Sequence, residues 1–168
     1  MKRIILITGG QRSGKSVLAE RMALELSCNP VYIATAHIWD QEFQQRVDKH
    51  KERRGEQWTN IEEEKHLSKL YIYNKVAVID CLTLWCTNFF FSAANDESHQ
   101  PDINETLKET EEEFDKFTDQ DATFIFVTNE IGSGGVSENA IQRRFTDLEG
   151  WMNQYVASCA DEVILMVS

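Results

Sequence analysis

GGQRSGKS, residues 9–16, sets Gly9, Gly14, Lys15 and Ser16 in a G-x-x-x-x-G-K-S string. Glycines at this spacing let backbone N–H groups turn inward around phosphate oxygens. A helix that starts at the end of such a loop aims its positive dipole end at the same anion. Lys15 adds a cation for the terminal phosphates, and the Ser16 hydroxyl can serve Mg²⁺. Gly10, Gln11, Arg12 and Ser13 fill the loop, so their main-chain groups would contact the phosphates. An apolar run, RIILIT (3–8), precedes the string and helical spacing follows it, as the motif requires. The motif needs an acidic partner near its metal, and Asp80, closing the apolar run VAVID, fits that role. A strand-end or capping aspartate is the plainer reading of the same residue. Glu130, after FVTN, falls at the same carboxyl edge and reads equally as a ligand or as a loop carboxylate.

The second stretch of interest is RVDKHKERR, residues 46–54. The chain carries a formal charge of −11, yet Arg46, Lys49, Lys51, Arg53 and Arg54 crowd here against Asp48 and Glu52. On a helix, Arg46, Arg53 and Arg54 share a face with His50. Neighbouring cations disfavour imidazolium, and neutral imidazole is a nucleophile. The same cations suit a triphosphate and a departing pyrophosphate. The cluster therefore fits attack on a nucleotide α-phosphate with a nucleotidyl-histidine intermediate. On residue types alone a solvated basic helix face explains it as well, because charge runs are usually surface.

The elements that must position these groups alternate. Apolar runs at 3–8, 30–35, 76–81, 122–128 and 161–167 read as buried strands. Helical patterns follow at 13–26, with Val17, Leu18, Met22 and Leu26 on one face, then from Asp40 through His50, from Leu82, over 102–120, and over 140–160. This alternation predicts an α/β fold, P-loop NTPase-like, with a mostly parallel sheet and helices on both faces. The 168 residues suit one domain, 1–168. SAANDESHQPD (92–102) reads as a polar loop and as the most mobile part of the chain.

The acidic balance argues against nucleic acid and against anionic membrane surfaces as partners. No run reaches membrane-spanning length, and the N-terminus lacks a signal-peptide core. Cys28, Cys81, Cys86 and Cys159 form no C-x-x-C pair and read as reduced, mostly buried thiols of a cytoplasmic protein. A switch GTPase would carry N-K-x-D, but NKVA (74–77) lacks the aspartate.

Several stretches, in order along nearly the whole chain, resemble a known family. They are ITGGQRSGKS (7–16), YIATA (32–36), RVDKHKERR (46–54), W-T-x-x-E (58–62), VIDCLTLWCTN (78–88), FVTNEIGSG (126–134) and the run 138–168. The family is the bifunctional adenosylcobinamide kinase and adenosylcobinamide-phosphate guanylyltransferase of cobalamin biosynthesis. The resemblance implies two reactions on a corrinoid. ATP or GTP phosphorylates adenosylcobinamide; GTP then guanylylates a histidine, and the GMP passes to adenosylcobinamide phosphate. By position that histidine is His50, and nucleotide contacts fall on 9–16, on Ala34, Thr35 and Ala36, on Lys51, Glu52, Arg53 and Arg54, on Glu62 and on Asp80. The metal ligands would be Ser16 and Asp80, for Mg²⁺. The family also implies a homo-oligomer, a trimer, to which FFF (89–91) and Trp151 could contribute if they are not core. The chain departs from the family at Gly135 and Ser137, where a hydrophobic residue and a proline are usual, and the family's pattern runs a few residues past Ser168. A P-loop kinase without guanylyl transfer and a non-catalytic nucleotide-binding regulator are the competing readings; neither needs a reactive His50.

Overall fold

The computed structural model describes residues 1–38, 41, 48, 54–92 and 102–168. Six strands form one sheet: β1 (Arg3–Gly9), β2 (Val31–Ala34), β3 (Thr59–Glu62), β4 (Val76–Asp80), β5 (Thr123–Asn129) and β6 (Glu162–Met166). Their order is β3-β2-β4-β5-β1-β6, and every pairing is parallel. Parallel strands need long crossovers. Those described carry α1 (Lys15–Leu26), α2 (Leu82–Ser92), α3 (Ile103–Thr118) and α4 (Ala140–Cys159).

The continuous apolar runs of β1, β4 and β5 are explained by burial on both faces. On one face Ile4, Leu6, Ile79, Phe124 and Phe126 pack with Trp85, Phe89, Phe114, Phe117, Met152 and Val156. On the other, Ile5, Ile7, Val78, Ile125 and Val127 pack with Ala19, Ala23, Tyr32 and Trp58. α1 therefore covers one side, and α2, α3 and α4 the other. Phe117 stands edge-on to Phe124 and to Phe126, an arrangement that adds to plain area burial.

Three expectations need correction. The buried face of α1 is Lys15, Ala19, Glu20 and Ala23, while Val17 and Leu26 are exposed. Leu18 and Met22, expected on the same face, are half-buried and pack against this side of the core, so the periodicity of the larger residues held for two of the four. β3 was not expected: TNIE is short, polar and at the sheet edge, so it has no apolar signature. Two cysteines, Cys81 and Cys86, are buried, but Cys28 and Cys159 are exposed. Phe89 and Phe90 are core, whereas Phe91 and Trp151 are exposed. The helix expected from Asp40 through His50 and the loop at 92–102 lie almost wholly outside the described residues.

Phe117→Ala should lower the urea midpoint with little change in m-value, costing about 3–5 kcal/mol. A loss under about 1 kcal/mol would mean that the aromatic layer tolerates a hole there.

Candidate active site

The register aligns the chemistry. Glu62 of β3 sits opposite Ala34 of β2, and Ala34 opposite Asp80 of β4. Across the sheet, Gly9 of β1 lies between Asn129 of β5 and Met166 of β6. All these residues end their strands at the carboxyl edge, where open α/β sheets bind ligands.

The glycine-rich loop leaves β1 at Gly9, and α1 begins at Lys15 with Gly14 as its left-handed cap, φ 86°. Gly9 is required by packing: a Cβ there would lie 2.2 Å from the Met166 carbonyl oxygen. Gln11 and Arg12 are exposed at the loop tip, whereas Ser13 and Lys15 are buried. Lys15 Nζ donates to the Gly10 carbonyl and, at 3.3 Å, to Ser13 Oγ. Burial lowers the Lys15 pKa, while Cys81 and the Asp80 carboxylate oppose that shift.

Asp80 is itself held. The Tyr32 hydroxyl donates to Asp80 Oδ2 at 2.5 Å. Burial, then the Asp80 charge and bond, push the Tyr32 pKa well above its usual value, so the phenol remains a donor. The backbone around Asp80 is pinned from β2. Thr35 N–H donates to the Asp80 carbonyl, Thr35 Oγ1 donates to the Cys81 carbonyl at 2.7 Å, and Cys81 N–H donates back to Thr35 Oγ1 at 2.9 Å. Thr35 is fully buried, so its hydroxyl serves this turn. Of 34–36, Ala34 and Ala36 are half-buried and Thr35 is not accessible. Ser16 and Asp80 offer hard oxygen donors, a set that suits Mg²⁺, which keeps waters and takes phosphate oxygens.

Of the cationic stretch, Asp48 and Arg54 are described; His50, Lys51, Glu52 and Arg53 lie outside the described residues. Arg54 is buried. Its guanidinium carbon sits 3.4 Å from the centroid of the Tyr32 ring, and Nε donates to Asn60 Oδ1 at 2.9 Å. Nη1 lies 3.7 Å from Glu20 Oε1 and makes no hydrogen bond among the described residues. The Trp58 ring lies 6.0 Å from the Tyr32 ring, nearly perpendicular to it.

Glu130 resolves toward its loop role. Its carboxylate accepts from Gly132 N–H and Ser133 N–H, and bonds from Ser133 lead in lowering its pKa. Its own N–H donates to the Gly9 carbonyl at 3.0 Å, tying this loop to the glycine-rich one. Beneath it runs a buried network that sequence reasoning missed. Thr83 Oγ1 donates to Glu149 Oε1 at 2.6 Å and accepts from Asn129 N–H, and Thr128 Oγ1 donates to Asn153 Oδ1. Tyr32 and Glu20 were missed too. Their signals were faint: a tyrosine in an otherwise aliphatic strand, and a carboxylate four residues after Ser16.

This loop, the following helix and the strand-end aspartate on a parallel sheet define a P-loop nucleotide-binding protein. In fold the chain resembles a prototypical ATPase of a bacterial type III secretion system, with a TM-score of 0.57 at 14% identity, over 97% of this chain and 50% of that one. The family model described as cobinamide kinase / cobinamide phosphate guanyltransferase matches residues 5–168. The chain belongs to that family. It is 35% identical to the bifunctional adenosylcobalamin biosynthesis protein CobU of Escherichia coli K12, over 98% of this chain and 96% of that protein. It is 36% identical to the bifunctional adenosylcobalamin biosynthesis protein CobP of Pseudomonas aeruginosa, over 97% and 92%.

Two outcomes follow. Gly9→Ala should weaken GTP binding by about tenfold or more, ~1.4 kcal/mol, because Met166 or the loop must move; unchanged affinity in a titration would refute the packing argument. Burial, with the Glu130 charge adding to it, raises the Glu149 carboxyl from 4.5 to about 7 against the bond from Thr83. Its folded pKa is above its unfolded one, so the protonated side chain favours the fold below about pH 4.5, and that advantage disappears as pH rises through 7. The loss is on the order of 3 kcal/mol. Glu149→Gln should flatten the denaturation profile between these limits and stabilise the chain at pH 8; parallel profiles would place the titration elsewhere.

Proposed function

We propose that this chain phosphorylates adenosylcobinamide, with ATP or GTP as donor, and then transfers GMP from GTP through His50 to adenosylcobinamide phosphate. The observation that carries this reading is the line of contact between the phosphate-loop edge and the last residue of the second motif. The phosphate loop and Asp80 are there, and Arg54, which ends the His50 stretch, lies on Tyr32, the residue bonded to Asp80. His50 is four positions before Arg54, a reach of at most ~14 Å.

In the first reaction the corrinoid's hydroxyl oxygen attacks the γ-phosphorus, the bond to the β-bridging oxygen breaks, and a nucleoside diphosphate leaves. Catalysis here is positioning and charge neutralisation. The loop N–H groups of 9–16 and the Lys15 ammonium hold the phosphates. Mg²⁺, held by Ser16 and Asp80, would supply the neutralising charge. In the second reaction an imidazole nitrogen of His50 attacks the α-phosphorus of GTP and pyrophosphate leaves. A phosphate oxygen of adenosylcobinamide phosphate then displaces the imidazole, giving adenosylcobinamide-GDP and restoring His50. Lys51, Glu52 and Arg53, with Ala34, Ala36 and Glu62, are assigned to this nucleotide; Thr35 and Arg54, expected among its contacts, are buried and act through the residues they hold. The enzyme is further proposed to be a cytoplasmic homo-oligomer, a trimer, in keeping with its family and with the exposed Phe91 and Trp151. Among the described residues no helix is long and apolar enough to cross a membrane.

Incubation with GTP and Mg²⁺ should add the mass of one GMP, mapping to His50 in peptides kept mildly basic, since the phosphoramidate is acid-labile. His50→Ala should abolish the adduct and guanylyl transfer while still phosphorylating adenosylcobinamide. Loss of both activities in folded His50→Ala protein would sink the division of labour, and a wild-type chain that binds GTP without an adduct would leave a kinase alone.

A further inference from the structure

The buried network under the end of β5 converges on the main chain of a single residue, Asn129. Its N–H donates to Thr83 Oγ1 at 2.9 Å, and its carbonyl accepts from Asn153 Nδ2 at 3.4 Å. Both partners are held in turn: Thr83 Oγ1 donates to the buried Glu149, and Asn153 Oδ1 accepts from Thr128 Oγ1 at 2.7 Å. The next residue, Glu130, donates its N–H to the Gly9 carbonyl. The backbone is thus fixed on both sides of the Asn129 side chain, whose own carboxamide makes no hydrogen bond among the described residues.

Strand alternation says where that carboxamide lies, because successive side chains point to opposite faces of a sheet. Phe124 and Phe126 pack on the side of α2, α3 and α4, and Ile125 and Val127 on the side of α1. Thr128 reaches Asn153 of α4, so Asn129 belongs with Val127, on the side of α1 and the phosphate loop. Asp80 lies on this face by the same count, after Val76 and Val78. In register, Asn129 stands opposite Gly9 of β1, and two residues beyond Val127, the partner of Asp80 on β4. Strand spacing and rise put its Cα about 5 Å from that of Gly9 and about 8 Å from that of Asp80. Asn129 therefore ends the strand between the phosphate loop and the carboxylate assigned to the metal.

We infer that Asn129 is a catalytic residue of the phosphoryl transfer proposed above, its Nδ2 donating to a γ-phosphoryl oxygen, and that Thr83 is the positioning residue that holds it there. The inference rests on that reading and adds to it. The acceptor hydroxyl oxygen joins the γ-phosphorus, the bond to the β-bridging oxygen breaks, the nucleoside diphosphate leaves, and the hydroxyl proton goes to water. The carboxamide exchanges no proton in this step. It offers a donor where charge shifts, and a donor fixed beforehand needs no reordering at the moment of reaction. Thr83 fixes it through a directed hydroxyl: Glu149 takes the Thr83 hydrogen, so the Thr83 oxygen faces the Asn129 N–H as an acceptor.

The test uses the full chain with Mg²⁺ and two ligands, α,β-methylene GTP and α,β-methylene GDP, whose bridges block attack on the α-phosphorus. The ratio of their affinities isolates contacts to the γ-phosphate. Asn129→Ala should lower that ratio by about tenfold or more with the diphosphate affinity unchanged. It should also lower kcat for adenosylcobinamide phosphorylation by about 10²–10³-fold. Thr83→Val should move both readings the same way by a smaller factor, and Thr83→Ser should restore them. In the Asn129→Ala background, Thr83→Val should add nothing. Equal losses of affinity for the two ligands would make Asn129 a residue that shapes the loop and would overturn the inference, as would an unchanged kcat. A wild-type chain that binds GTP and phosphorylates no adenosylcobinamide would overturn the proposed reaction and the catalytic role with it, while the affinity ratio would still decide the γ-phosphate contact.

Discussion

A half-buried carboxylate at the end of a strand must be balanced by donors or cations, and at Asp80 that requirement organises the edge of the sheet. Water alone cannot serve a group with β2 on one side and the phosphate loop near the other. Tyr32 supplies a neutral donor that stays protonated, and Lys15 supplies charge from α1. Tyr32 must then be held at the right height, which is the work of a buried guanidinium and the edge of Trp58. The guanidinium in turn is balanced by Glu20, a buried carboxylate on α1. Each polar group is tolerated because the next one is present, so removing any one leaves its neighbour uncompensated in a low-dielectric setting.

The same edge shows a second solution on its other half. Asn129 and Glu130 belong to the loop that meets Gly9, and there the support is hydroxyl and amide rather than charge. Thr83 accepts from the Asn129 N–H and donates to Glu149, so the conformation of this loop is read into the face of α4. A carboxyl held near neutrality is suited to such a place. Protonated, it burdens the interior little; ionised, it strains the buried network it shares with Thr83.

The sequence was most legible where one physical demand acted alone. Strands β1, β4 and β5 are buried on both faces, so their apolar runs read correctly, and the loop 9–16 carries spacing that only phosphate chemistry asks for. Legibility failed where a residue answered to its three-dimensional neighbours. β3 pairs with β2 through its backbone, and TNIE needs no apolar side chains at an edge. The buried face of α1 is Lys15, Ala19, Glu20 and Ala23, with Leu18 and Met22 half-buried at its margin, so the larger residues marked that face only in part. Arg54 read as one more cation in a charged run. Its burial depends on Glu20, Tyr32 and Asn60, which are 34, 22 and 6 positions away, and no local pattern encodes that.

This distribution of constraints bears on how one nucleotide edge can address two phosphorus atoms. Phosphoryl transfer from the γ-position asks for a fixed cradle, and the loop supplies it: its conformation is set by Gly9 against β6 and by Gly14 at the helix start. Transfer from the α-position asks in addition for a nucleophile and for cations near the leaving pyrophosphate. Of the stretch assigned to that task, Arg54 is joined to the sheet through the Tyr32 ring and the Asn60 side chain. The stacked guanidinium and phenol link Arg54 to Asp80, so the end of that stretch and the carboxylate beside the cradle share one line of contact.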